Sequence, residues 1–175
     1  MGYFKRNAVH LVVIALGVAS ALALSGFETP GKIGQSSRFD IAKASPDDIA
    51  KALMNDGRVV ISGGILFDSD SAKLAPSAAD VVRRVSDMMK QNSDLNVAVV
   101  GHTDNTGDFD YNRQLSERRA QAMVHALVKD GVAATRLAAV GVGPLSPAAP
   151  NDTPEGRAQN RRVELVLITM TPSHQ

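Results

Sequence analysis

The stretch "GHTDNTGDFDYNRQLSERRAQAM", residues 101–123, decides how this chain is read. It places four carboxylates (Asp104, Asp108, Asp110, Glu117) and three arginines (Arg113, Arg118, Arg119) where an apolar strand hands over to a helix. The run before it, "LNVAVVG" (95–101), is almost continuously apolar and of strand length, which suits a central strand covered on at least one face. After it, helical spacing runs from about Asn112 to Lys129 and stops at Gly131. A solvated loop with a capped helix would account for so many charges. So would a pocket for a ligand that carries both signs.

The flanking segments supply the frame. Ser45 before Pro46 reads as an N-cap with Pro at the first helical position, opening a helix over "DDIAKALMND" that buries Ile49, Leu53 and Met54 and ends at Gly57. "RVVIS" (58–62) is β-branched and short, hence a strand, broken by Gly63-Gly64. "ILFDSDSAKL" reads as a strand end running into a loop. Pro76 then starts a helix with Ala78, Val81, Val82, Val85, Met88 and Met89 at helical spacing, the two methionines as core filling or helix surface. "RLAAVGVG" (136–143) is a third strand, a Pro-rich loop follows with a helical turn after Pro154, and "RRVELVLITM" (161–170) is the last strand. This order predicts one α/β layer pair.

The N-terminus is of another kind. Lys5 and Arg6 precede an uninterrupted apolar run from Ala8 to Leu24, 17 residues long. That length lies between the core of a signal peptide and a spanning helix. Ala21 and Ala23 have the A-x-A spacing of a cleavage site, so residues 1–25 read as a signal peptide or, if retained, a membrane anchor. Either reading exports the body across the membrane. Residues 26–45 read as a linker and 171–175 as a tail. Past residue 25 there are 17 basic and 18 acidic groups, a net of −1, which gives no reason to expect a nucleic-acid partner. No cysteine is present, so the fold has neither disulfides nor a cysteine for lipid attachment.

Three polar segments converge if the strand order is right: the "FDSDS" loop after the first strand, the quoted loop after the second, and "NRR" (160–162) entering the last. Arg119 lies four residues from both Leu115 and Met123, on their face of the helix, whereas Arg118 belongs to the more exposed row of Gln114 and Ala122. A partly buried guanidinium needs an anion. Asp104 is one candidate partner. In the other arrangement Asp104 takes a cation and Arg119 an anion, which suits an amino-acid head group. Arg161 and Arg162 alternate across a strand, so one faces the site and the other is a surface charge or pairs with Glu164. Asp104 could equally hold an Asx turn over "DNTG", and Asn112 could cap its helix.

Residues 58–168 resemble the OmpA-like peptidoglycan-binding domain, shared with peptidoglycan-associated lipoproteins and flagellar stator subunits. The resemblance rests on "TDNTGDFDYNRQLSERRAQAM", "GVAATRL", "GVG" and "NDTPEGRAQNRRVELV". It implies a β-α-β-α-β-β two-layer sandwich with helices packed on a mixed sheet, spanning 58–170 after a lead-in helix at 46–57. It further implies non-covalent binding of peptidoglycan through the diaminopimelate of its stem peptides. Asp104 and Arg119 would then grip the head group, with Asp70, Asn112 and Arg161 around the same pocket. The wall-anchoring subunit of an inner-membrane motor or secretion complex is the alternative. Ion conduction does not fit it, because residues 8–24 contain no acidic group.

Other chemistries find less support. Asp108, Asp110 and Asn112 have the 1-3-5 spacing of a calcium loop, but Arg113 and Arg119 stand where Gly and Glu are required. His10, His102, His125 and His174 form no zinc pair. There is no nucleophile elbow, and an arginine beside Asp104 would lower its pKa rather than make it an acid catalyst. No enzyme activity, cofactor or metal is expected.

Overall fold

Ser45 and Asp48 form a reciprocal cap: Ser45 Oγ accepts from Asp48 N at 3.2 Å, and Ser45 N donates to the Asp48 carboxylate at 3.3 Å. With Pro46 in the first turn, this starts α1, Pro46–Asp56, which Gly57 ends in the left-handed conformation at φ 70°. The computed structural model of the chain describes residues 40–68 and 70–168. The expected signal or anchor at 1–25, most of the 26–45 segment and the 171–175 tail lie outside the described residues. Within the described part of 26–45, Ile41 is buried.

The remaining elements are β1 (Arg58–Ser62), α2 (Gly63–Leu66), α3 (Ala78–Gln91), β2 (Asn96–His102), α4 (Phe109–Lys129), a 3₁₀ turn (Ala134–Arg136), β3 (Leu137–Gly143), α5 (Pro154–Asn160) and β4 (Arg162–Ile168). The four strands make one mixed sheet in the order β1-β4-β2-β3. β4 runs antiparallel to both neighbours and β2 parallel to β3, so β1, β2 and β3 all point the same way. Helices cover one face. Val59 and Ile61, Val97 and Val99, and Val163 and Leu165 alternate into a core shared with α1, α3 and α4. Val60, on the opposite face, is 45% exposed.

This is the expected helix-covered mixed sheet, with local differences. Ile49, Ala50 and Leu53 are buried on α1, but Met54 is 52% exposed, because it falls past the edge of the stripe those three define. Gly63-Gly64 ends β1 as expected. It begins the helical turn α2, and Ile65-Leu66 are helical rather than a strand end. A short apolar run has no periodicity to separate the two. Gly63 is required by proximity: its N–H donates to Arg161 O at 2.8 Å, and a Cβ would stand 2.6 Å from that oxygen. Met88 and Met89 are both core.

Two features hold α3 and α4 where the site needs them. Arg136 donates to Met89 O at 2.7 Å, Asn92 O at 2.5 Å and Leu95 O at 2.7 Å, satisfying carbonyls at the end of α3 and the turn after it. α4 lies across Gly101 of β2 and Gly141 of β3, where a Cβ would overlap the backbone of Ser116 and Glu117. That contact brings the first turns of α4 against the ends of β2 and β3.

Candidate functional site

Because β1, β2 and β3 are parallel and β4 opposes them, the loops leaving β1 and β2 and the residue entering β4 meet at one end of the sheet. A cleft of about 340 Å³ opens there. Asp70, Thr103, Asp104, Thr106, Gly107, Tyr111, Asn112, Leu115, Arg119 and Arg161 line it, so all five expected site residues are present. A larger groove of about 480 Å³ between α3 and α4 is mostly apolar, and its charged residues Arg83, Lys129 and Asp130 are all exposed. It has no charge held in place for a ligand.

Asp104 sits two residues past β2 and is 8% exposed. Its Oδ1 accepts from Thr106 N at 2.9 Å, an Asx turn, and its Oδ2 accepts from Arg161 Nη1 at 2.7 Å. Burial pushes the carboxyl pKa up. The hydrogen bonds from Arg161 and Thr106 outweigh it and hold Asp104 below the ordinary carboxylate value. The local turn and the charged role therefore coexist on one carboxylate. Each oxygen retains acceptor capacity toward the cleft.

Arg119 does not pair with Asp104, which corrects the first of the two arrangements the sequence allowed. Its Nε donates to Ser71 O at 2.8 Å, and its guanidinium lies 5.3 Å from the Phe67 ring centroid. Burial lowers its pKa, with Asp70 and Tyr111 opposing the shift, and a guanidinium remains a cation throughout. Among the described residues no acceptor occupies its two terminal nitrogens. Asp70 and Asp104 balance Arg119 and Arg161, so the cleft holds two charges of each sign.

Asn112 does not cap its helix. Asp108 does, accepting from Tyr111 N at 2.8 Å, so α4 begins at Phe109, one turn earlier than the periodicity indicated. Asn112 is buried and donates to Thr106 O at 2.8 Å, which shapes the loop carrying Asp104. Asp70 stands on the exposed lip in the left-handed conformation, φ 51°, which Asp tolerates better than most residues. Arg162 is the arginine that turns away: its Nε donates to Glu164 Oε1 at 2.7 Å, with both side chains buried. His102 lies beside the pair, its Nε2 3.7 Å from Glu164.

Sequence reasoning missed Tyr111 and Phe67. Tyr111 Oη donates to Asp70 Oδ1 at 2.9 Å, and this bond raises the pKa of the phenol. A signal existed, since Tyr111, Leu115 and Arg119 are spaced four apart, but it required the true start of α4. Phe67 is a lone aromatic in a loop, with no pattern to link it to Arg119.

With this geometry established, comparisons with known proteins are informative. "Probable lipoprotein YiaD" of Escherichia coli (strain K12) is 45% identical over 103 residues, 59% of this chain and 47% of that protein. "Peptidoglycan-binding protein ArfA" of Mycobacterium tuberculosis (strain ATCC 25618 / H37Rv) is 45% identical over 108 residues, 62% of this chain and 33% of that protein. The chain thus spans less than half the length of these relatives. Among solved structures, the cell wall anchor of the T6SS from Pseudomonas aeruginosa superposes with a TM-score of 0.59 at 30% identity, covering 70% of this chain and 94% of that one. The model of the OmpA family matches residues 66–161, a span that contains every residue of the cleft, and this chain belongs to the OmpA family.

Proposed function

We propose that the domain binds peptidoglycan non-covalently through the free amino-acid head group of diaminopimelate in the stem peptides, and so tethers its carrier to the cell wall. The observation that carries this reading is the separation of Asp104 from Arg119 within one cleft. Asp104 is kept ionised by Arg161, and Arg119 is held by Ser71 O and Phe67 rather than by an acid. Asp104 accepts from the ammonium and Arg119 donates to the carboxylate. Arg161 keeps Asp104 charged, Asn112 holds the loop beneath it, and Asp70 faces the ammonium from the lip. Names of relatives point the same way, since one is called peptidoglycan-binding and another structure is described as a cell wall anchor.

Each charge-assisted hydrogen bond contributes roughly 1.5–3 kcal/mol, so a single stem is held modestly. A polymer with many stems raises the local ligand concentration and makes the tether effective though reversible. The chain is then an exported cell-envelope protein with a binding rather than an enzymatic role. The anchor of a larger membrane complex is the second reading, favoured by the likeness to the T6SS anchor.

The test is sedimentation of the purified chain with sacculi containing diaminopimelate, beside Asp104→Ala, Arg119→Ala and sacculi with lysine in its place. Wild type should pellet with the first sacculi alone, and both variants should stay in the supernatant. A wild type that stays in solution, or variants that pellet equally, would overturn the proposal.

A further inference from the structure

Tyr111 lines the cleft, and its hydroxyl is fixed to Asp70 at 2.9 Å. On its other side stands Arg118, seven residues on and therefore on the same stripe of α4, with Cζ 5.8 Å from the ring centroid. Arg118 is exposed. Arg119 and Arg161 each have a bonded acceptor, whereas Arg118 has neither a carboxylate nor a carbonyl partner among the described residues. A solvated helix charge would account for exposure alone. It does not account for a guanidinium held within cation–π range, 5.8 Å, of the one aromatic ring lining the cleft while no acceptor takes its donors.

Resting on the head-group reading above, we propose that Tyr111 and Arg118 form an outer subsite for a second carboxylate of the stem peptide. A stem peptide that leaves the cleft past Tyr111, with its head group on Asp104 and Arg119, would pass Arg118 just outside the lining residues. In a stem whose glutamate is joined through its γ-carboxyl, that residue keeps a free α-carboxylate next to the diamino acid. This is the anion the open fork meets. Arg118 thereby distinguishes stems with a free glutamate carboxylate from stems in which it is amidated.

The experiment titrates the full chain with two synthetic stem tripeptides, Ala-γ-Glu-diaminopimelate and the analogue amidated at that glutamate carboxyl. An exposed ion pair corresponds to roughly a two- to fivefold change in affinity, so amidation should weaken wild-type binding by that factor. In Arg118→Ala the two peptides should bind alike, and in Arg118→Glu the amidated one should bind better. If the wild type does not distinguish them, or the difference persists in Arg118→Ala, the outer subsite is wrong while the head-group pocket stands. If neither peptide binds the wild type, the pocket reading fails, and the subsite with it.

Discussion

Arg161 Nη1 lies 2.7 Å from Asp104 Oδ2, joining two residues 57 positions apart across the mouths of β4 and β2. The pair ties the cleft's acid to a cation other than Arg119, and on the proposed head-group reading Arg119 is thereby left for an incoming carboxylate. Replacing Arg161 with Ala should remove a charge-assisted bond and leave the cleft with one excess negative charge. Because the Arg161 side chain is 45% exposed, the loss should sit at the lower end, about tenfold in affinity for a stem peptide. The melting temperature should change little. Unchanged affinity on titration would show that the pair is only a surface ion pair.

On the proposed head-group reading, Asp104 should also set the acid limit of binding. Its pKa is below the ordinary 3.8, so the carboxylate stays ionised at every pH above that value. Its contribution to stability is fully present above 3.8 and is lost as pH falls through the lower folded value. Retention on sacculi should therefore hold from neutral pH down to 3.8 and fail only on further acidification. Half-loss at pH 5 or above would contradict this.

His102 acts in the same direction, at higher pH. Burial, with Arg162 and against Glu164, lowers its pKa from 6.5 to about 4, and its side chain is 3% exposed. The unfolded chain therefore binds a proton that the folded one refuses between these values, and stability falls as pH drops from 6.5 toward 4. The loss is about 3 kcal/mol in all. His102→Gln should flatten that part of the stability curve, measured by urea unfolding at several pH values. Parallel curves for the two proteins would refute the assignment.

Two glycines should respond differently to one methyl group. A Cβ at Gly101 would overlap the Ser116 carbonyl of α4, so Gly101→Ala must push the helix from the sheet. It should cost about 1–3 kcal/mol or more and weaken ligand binding as Asn112 and Arg119 shift. At Gly64 the nearest atom is Ser62 Oγ at 4.0 Å, so Gly64→Ala should be neutral or stabilising by up to about 1 kcal/mol. Thermal melts of both variants check the contrast.

Most of the elements are legible in the chain because each has a local cause. Ser45-Pro46 and Gly57 bound α1, the apolar stripe from Ala78 to Met89 specifies α3, and β-branched runs specify the strands. The order of strands along the chain likewise brought three polar loops to one end of the sheet, and the family resemblance placed Asp70, Asn112 and Arg161 beside Asp104 and Arg119 there. Which side chains bond to one another there depends on long-range packing. Both Arg119 and Arg161 carry the charge Asp104 needs, and the choice falls to Arg161 because β4 inserts beside β2 while Ser71 O and Phe67 capture Arg119. Strand order and a loop carbonyl leave no periodic trace in the chain. The same holds for Gly63 and Gly101, whose lack of a side chain matters only once Arg161 and Ser116 lie against them.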